Sequence, residues 1–356
     1  MKKIFSIFCF LLTIFLAKAQ DVNFLKVYYP FINAAEKTVV DGNYRAALEI
    51  YQKAFAAVPK GFMKDYFNAA VCATYSGDAS NTYKYLLEVA GKGISLDFVK
   101  QESAFIGIQR DAAWRDFEVK YLAKKRDFEA KINQTVKQKL DKILERDQWF
   151  RVRNPETFSD TIRKIDAKNA TELDYLISKY GFPSEEMIGC GEGGMPVVQY
   201  PFYTIFKRQT PDSPNGGTSN QTVNFSNVIL EAVRKGVMLP HIASNILAIL
   251  NGNDTFFSRH VFKITTDANL AVMKNKPFSK KLEKWVYRKL TTEEERNFDE
   301  LRLQNGLESM ADYRKKIVFS LNDNRFLFPY KVFATMWYVS DPNIASDYLE
   351  DTAVLE

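Results

Sequence analysis

Two aspartates and one arginine near the middle of the sequence are the residues best suited to acid–base chemistry. Asp147 and Arg151 are four positions apart, one helical turn, and Asp166 follows them along the chain. A pair of carboxylates beside a cation is an arrangement that tunes the pKa of an acid for proton transfer. A structural salt bridge needs the same three side chains. The sequence therefore predicts a polar cluster that serves one of these two roles.

A glycine-rich segment, Gly189 to Gly194, satisfies the G-x-G-x-x-G spacing of dinucleotide-binding sites. Such a site needs a strand before the glycines and the start of a helix after them, so that the helix can hold the pyrophosphate. Here Tyr180-Gly181-Phe182-Pro183 indicates the end of a helix before the glycines, and Met195-Pro196 follows them. We therefore expect a flexible loop and no phosphate cradle.

Cys190 lies within this glycine segment and would be a nucleophile if a histidine served as its base. His241 is the candidate partner by position, although it follows Pro240 at a predicted helix start, which favours a capping or surface histidine. Cys72 lies in an apolar helical run and is expected in the core. Whether Cys72 and Cys190 form a disulfide stays open. Two cysteines and two histidines do not suffice for a spaced zinc cluster, so we predict no metal and no cofactor.

The first 19 residues have the three parts of a secretory signal. Lys2 and Lys3 precede an apolar run from Ile4 to Leu16, and Ala17-Lys18-Ala19 supplies a cleavage site of the small-x-small type. The sequence predicts export by the Sec route with cleavage after Ala19, to the periplasm or beyond. The run is too short for a membrane anchor, and no later stretch reaches the roughly 18 to 20 apolar residues that span a bilayer.

The charge of the chain gives little support to a nucleic-acid partner. The formal net charge is +6, but the predicted leader contains three of the lysines, which leaves +3 on the remaining chain. A value this small in a chain of this length does not argue for nucleic acid or an anionic membrane surface. We expect recognition by shape, with another envelope protein or a peptide as partner.

An internal repeat organises the region after the leader. The segment from Gly42 to Phe55, closed by Pro59, resembles the second helix of a tetratricopeptide repeat. Its turn recurs at Gly77-Asp78, 35 positions after Gly42, and more weakly at Arg110-Asp111. The resemblance implies three stacked helix pairs over residues 22–123, because fewer would not bury their apolar faces.

Such repeats often carry a concave peptide-binding groove, and they also serve as scaffolds that only hold a neighbouring domain. The resemblance implies a groove whose ligand- or partner-binding residues here are Tyr29, Lys64, Phe67, Val71 and Tyr75. Both roles remain open at the level of the sequence. They differ in whether these five side chains are accessible or are covered by the rest of the chain.

A charged but periodic stretch follows the repeats. Its apolar residues recur every four positions, at Phe128, Ile132, Val136, Leu140 and Leu144, which is the pattern of one helical stripe. The sequence predicts a single connecting helix over residues 124–146. The four-residue step lacks the alternation of a heptad repeat, so a coiled-coil dimer is disfavoured.

A second resemblance covers roughly residues 137–318. The ordered short motifs are similar to an uncharacterised helical domain of unknown function that is often found in Bacteroidetes proteins. They are Asp147-Gln148, Arg151, Asp166, Asn169, Leu173, Tyr180-Gly181-Phe182-Pro183, Gly189, Arg302, Gly306-Leu307 and Tyr313. In that family a glutamine–histidine pair lies between these ends. This chain keeps Gln199 but has Tyr200 in place of the histidine, so a site at this position is altered here.

Together these observations predict an all-α protein with a leader (1–19), repeats (22–123), a connecting helix (124–146) and a helical domain (147–356). The predicted function is a non-catalytic binding or assembly module of the bacterial envelope. The alternative is a hydrolase with its site within residues 147–263. It requires five residues to meet in one concave pocket, namely Asp147, Arg151, Asp166, Gln199 and His241.

Overall fold

The computed structural model describes residues 22–153, 155–193, 195–210, 220–256, 261–266, 283–328, 335–339 and 352–355. The predicted leader, residues 1–19, lies outside these ranges. The described residues form a mainly α-helical fold with two small β-sheets, which confirms the predicted class in its main feature. No helix within them combines the length and the apolar composition that crossing a membrane requires.

Seven helices make up the region predicted to contain the repeats. They are α1 Phe24–Val27, α2 Tyr29–Val40, α3 Tyr44–Ala56, α4 Met63–Tyr75, α5 Ala79–Ala90, α6 Leu96–Gln101 and α7 Trp114–Glu129. Consecutive members pack against each other as hairpins, α2 with α3 and α4 with α5, and α3 also packs on α4. The apolar face of each hairpin is thereby covered by the next one.

The turns of the first two hairpins have the same construction. Gly42 and Gly77 adopt the left-handed backbone region, with φ of 77° and 73°, which glycine enters without steric cost. The next residue caps the following helix in both hairpins, because the side chains of Asn43 and Asp78 accept a backbone N–H three positions on. The turn therefore recurs where the sequence placed it, while membership in the repeat family stays a prediction.

The third predicted helix pair is irregular. Its first helix, α6, has only six residues, and two short 3₁₀ turns at Ser103–Phe105 and Ile108–Arg110 follow before α7 begins. Trp114 and Phe117 are buried in α7. The regular pairing thus stops after the second hairpin.

The prediction of one continuous helix over residues 124–146 was wrong. Helix α7 ends at Glu129, and a separate helix, α8, runs from Gln134 to Arg151. Asn133 starts the second helix, because its side-chain oxygen accepts the backbone N–H of Val136 at 3.0 Å. The apolar stripe is nevertheless partly buried, since Val136 and Leu140 are in the core.

Among the described residues, the other helices and all of the strands lie after residue 133. The helices are α8 Gln134–Arg151, α9 Ser159–Tyr180, α10 Glu185–Ile188, α11 Tyr203–Lys207, α12 Ser226–Arg234, α13 Pro240–Leu250, α14 Thr292–Gln304 and α15 Met310–Asn322. The strands are β1 Gly191–Glu192, β2 Met195–Pro196, β3 Val261–Thr266, β4 Glu283–Arg288, β5 Thr335–Val339 and β6 Thr352–Val354.

A four-stranded sheet is the feature that the prediction of a helical second half did not include. Its strand order is β5-β3-β4-β6, with β3 parallel to β5 and antiparallel to β4, and β6 antiparallel to β4. Ile264 in β3 lies opposite Trp337 in β5 and Lys284 in β4. Because β3 and β5 are far apart in sequence, this pairing depends on long-range contacts.

The two halves of the chain share one apolar core. Helix α15 packs on α2, and α12 packs on α1. A single cluster of buried apolar side chains extends from Phe24 to Phe328. The predicted repeat block therefore does not stand apart from the second half, which covers one of its sides.

Candidate functional site

The structure brings three of the five predicted polar residues together. The Arg151 guanidinium lies 3.0 Å from Asp147 Oδ1, and its other terminal nitrogen is 2.7 Å from both oxygens of Asp166. Helix α8 supplies Asp147 and Arg151 one turn apart, and the adjacent helix α9 supplies Asp166. We refer to these residues and their direct partners as the Asp147 cluster.

The Asp147 cluster also contains residues that the sequence did not point to. Arg208 lies 3.4 Å from Asp147, and the Asn220 side-chain amide donates to Asp166 at 2.8 Å. Both carboxylates therefore have cationic or amide partners, and Arg151 engages both oxygens of Asp166. This geometry is that of a structural salt bridge, which is one of the two roles that the sequence left open for these three residues.

His241 and Gln199 are not members of the Asp147 cluster. His241 lies at the start of α13, where its Nε2 is 2.9 Å from Glu308 and its ring stacks on Tyr313. It is buried, so of the two expected roles, capping or surface, the surface role was wrong. Gln199 is half-buried in the segment between β2 and α11. The five predicted residues therefore do not share one pocket.

The expected flexible loop at the glycine segment is a packed hairpin. Strands β1 and β2 pair antiparallel, and a Cβ atom on Gly191 would lie only 2.2 Å from the carbonyl oxygen of Gly93. Cys190 donates its backbone N–H to the Lys92 carbonyl at 3.0 Å. This close backbone approach explains the glycine at position 191, and no helix start follows directly after the hairpin to hold a phosphate.

Neither cysteine has the surroundings of a nucleophile. Cys190 is 1% exposed, its sulfur lies 3.4 Å from the Lys92 carbonyl, and burial raises the pKa of its thiol well above the usual range. Cys72 is buried in α4, as predicted. Both are free thiols. The proposed base, His241, is engaged with Glu308.

Four of the five predicted groove residues are covered. Tyr29, Lys64, Phe67 and Val71 are buried, whereas Tyr75 is 44% exposed. The Tyr29 hydroxyl donates to the carbonyl of Val233, which follows from the packing of α12 against the first helices. The groove therefore offers no open surface at these four positions, because other parts of the same chain fill it.

A network of buried charged side chains joins the two halves of the chain. Lys64 on α4 bonds to Glu36 on α2 at 2.8 Å, and Lys316 on α15 bonds to the other oxygen of Glu36 at 2.7 Å. Lys316 also reaches Glu308 at 3.1 Å, and Glu308 receives Arg302 at 3.0 Å.

The network also includes His241, which contacts Glu308, and Asp65, which contacts both Lys64 and Tyr28. We refer to all of these residues as the Glu308 network. It holds three carboxylates, three cations and one histidine, all of them buried.

The pKa values in the Glu308 network follow from competition between burial and neighbouring charge. Burial raises the pKa of Glu36, but Lys316 and Lys64 outweigh it and hold the value at about 2. The same opposition holds the pKa of Glu308 well below its usual range, because its contacts with His241, Lys316 and Arg302 outweigh burial. Burial dominates at Asp65 and raises its pKa despite Lys64. Two of the three carboxylates are thus strongly stabilised as anions.

A cavity of about 310 Å³ lies between α8 and the glycine hairpin. Its walls come from the α8 face between Lys137 and Leu144, from Ile188 to Gly193, from Val197, and from Tyr200 to Phe202. None of the ten residues predicted as site residues lines it. The described residues also contain no group of three or more His, Cys, Asp or Glu side chains that could hold a metal ion.

Comparison with known proteins identified no relative. The chain matched no protein-family model, no curated protein and no solved structure. The two resemblances noted from the sequence therefore remain predictions.

Proposed function

We propose that this protein is an exported, non-catalytic binding or assembly protein of the bacterial envelope. In this proposal the helix hairpins of the first half support the second half, and a partner protein or peptide binds to surface that the two halves leave uncovered. The proposal is based on the predicted leader and on the observation that other parts of the chain cover most of the predicted binding groove.

The single observation that carries the proposal is the Glu308 network. Burying several charges is unfavourable unless each is paired and hydrogen-bonded, and here the partners come from both halves of the chain. Such an arrangement fixes one relative placement of α2, α4, α13 and α15. That is a property expected of a rigid support, which must present a surface without rearrangement.

The arrangement of the polar residues gives no comparable support to the hydrolase alternative. Asp147, Arg151 and Asp166 form a cluster closed by Arg208 and Asn220. Gln199 and His241 lie elsewhere, and the cavity beside the glycine hairpin is lined by other residues. We therefore favour the binding role over the hydrolase.

Tyr75 offers the sharpest test of the proposed role, because it is the predicted groove residue that remains exposed. Mature protein beginning at Gln20 is immobilised and exposed to envelope extract. We expect a captured protein whose retention falls strongly with Tyr75→Glu. It should not fall with the control Trp149→Glu, which alters an equally exposed aromatic residue on α8.

Two results would contradict the proposal. One is capture that neither variant changes. The other is an absence of any partner while the purified protein turns over a substrate. Export is tested separately, by the mass of the protein recovered from periplasm or medium, which should correspond to cleavage after Ala19.

A further inference from the structure

The lining of the cavity between α8 and the glycine hairpin is partly apolar and partly polar. Leu140, Ile188 and Phe202 line it and are buried, and Leu144 and Val197 add further apolar surface. Tyr200 also lines the cavity, and its hydroxyl donates to the Gly189 carbonyl at 3.0 Å. One part of the cavity therefore presents hydrocarbon and ring surface, beside the polar backbone of the glycine hairpin.

The hairpin wall of the cavity is held in place by the backbone. Gly191 has no space for a side chain beside the Gly93 carbonyl, and the Cys190 N–H and the Val197 N–H both make backbone hydrogen bonds. A wall fixed in this way keeps the cavity open without a ligand, which is common for small-molecule sites. The volume of about 310 Å³ lies at the lower end of the range for such sites, roughly 300 to 1,000 Å³.

Charges of both signs lie among the lining residues. Lys137 and Asp141 are one turn apart on α8, and Glu192 approaches from the hairpin. None of these three side chains makes an ion pair or a side-chain hydrogen bond to another described residue. The contrast with Lys125 and Glu129 on α7 is informative, since that pair has the same spacing and does form an ion pair.

We propose that this cavity binds a free hydrophobic amino acid. The apolar side chain of the ligand occupies the interior, its ammonium group faces Asp141 and Glu192, and its carboxylate faces Lys137. Lining charges of both signs together with an apolar part of the same cavity complement a zwitterion that carries one apolar group. This inference goes beyond the proposed partner binding and does not depend on it.

The test uses calorimetric titration of the mature protein with a matched ligand series. The series is L-phenylalanine, L-leucine, phenethylamine, 3-phenylpropanoate and 3-phenylpropanol. We expect at least one of the two amino acids to bind. L-phenylalanine should bind at least about fivefold more tightly than the analogues that lack one or both charges. A difference of about fivefold in affinity corresponds to the upper range of the free energy of an exposed ion pair.

Charge-removing variants assign the two ends of the ligand. Lys137→Met should weaken the binding of L-phenylalanine and 3-phenylpropanoate but leave the binding of phenethylamine unchanged. Asp141→Asn combined with Glu192→Gln should weaken the binding of L-phenylalanine and phenethylamine and leave the binding of 3-phenylpropanoate unchanged. Lys142→Met and Glu145→Gln, two exposed α8 positions outside the cavity, serve as controls that change nothing.

Three results would overturn the inference. They are binding of neither amino acid at about 10 mM, a concentration that would largely fill a site with a Kd of about 1 mM, equal binding of the uncharged alcohol, and binding of the amine alone. The ligand series on the unaltered protein decides between these outcomes even if a variant fails to fold. A failure here leaves the Tyr75-dependent capture untouched, so the two proposals are distinguishable.

Discussion

The Glu308 network and the Asp147 cluster are built from the same kinds of side chains but differ in their contact with water. The charged side chains of the network are no more than 5% exposed, namely Glu36, Asp65, Lys64, Lys316, Glu308 and Arg302. In the Asp147 cluster the carboxylates of Asp147 and Asp166 are equally buried, but the cations are not, since Arg151 is 17% exposed and Arg208 is 33% exposed. Burial raises the cost of leaving a charge without its partner, so the two sets should respond differently to the same substitution.

The largest effect is expected at the centre of the buried network. Glu308→Gln removes the carboxylate shared by Lys316, Arg302 and His241, and it leaves positive charge buried without compensation. We expect a loss of about 3 to 5 kcal/mol in the free energy of unfolding, measured by urea titration. The control Glu129→Gln breaks an exposed ion pair on α7 and should cost less than about 1 kcal/mol. Similar losses in both variants would mean that burial does not distinguish these two pairs.

Acid should weaken the network through Glu36. Because its folded-state pKa is about 2, below the ordinary value of 4.5, its contribution is complete above about pH 4.5 and is lost as the pH falls towards 2. The contribution is on the order of 3 kcal/mol. Asp65 opposes it, since its pKa is raised. Unfolding free energy measured against pH should therefore be flatter for Glu36→Gln over this window, and parallel curves would contradict the assignment.

A smaller loss is expected in the Asp147 cluster. Asp166→Asn removes the negative charge beside Arg151, but Arg151 keeps Asp147 and has access to water. We expect about 1.5 to 3 kcal/mol in the free energy of unfolding, the range for a charge-assisted hydrogen bond. Asp160→Asn on the same helix is the control, because its side chain is 86% exposed and should be close to neutral. A cost for Asp166→Asn that exceeds that of Glu308→Gln would reverse the comparison.

Substitutions that change no charge give a reference value for the loss in the free energy of unfolding, against which the losses in both charged regions can be compared. Gly191→Ala places a methyl group against the Gly93 backbone and should cost about 1 to 3 kcal/mol by overpacking. Gly107→Ala meets nothing within 4 Å and has an ordinary φ of −62°, so thermal unfolding of that variant should stay close to the parent. Equal behaviour of the two variants would show that the hairpin is able to move.

Features determined by neighbouring residues could be predicted from the sequence. The turns at Gly42 and Gly77 depend on a left-handed glycine and a capping residue beside it. The contact of Asp147 with Arg151 depends on helical spacing alone. The break before Gln134 was missed although Asn133 gave a local signal, because the apolar stripe continues through it with unchanged spacing.

Features determined by distant residues could not be predicted in the same way. Glu36 and Lys316 are 280 positions apart, and nothing near either residue identifies the other as its partner. The four-stranded sheet had a weak local signal in the β-branched and aromatic residues of β3 and β4, but the parallel pairing of β3 with β5 depends on the rest of the fold. The cavity likewise arises only where α8 meets the glycine hairpin, and neither segment alone defines it.

The distance between Glu36 and Lys316 along the chain also affects how the protein acquires its structure. A growing polypeptide that has only reached residue 123 contains the residues of both hairpin turns, yet its Glu36 lacks Lys316, and its Glu36 and Lys64 lack the later helices that enclose them in the complete fold. Contacts between such remote segments form late and slow folding. A truncated or proteolysed chain would consequently expose apolar surface together with charged side chains that lack their partners. Such a chain would be prone to aggregation or degradation.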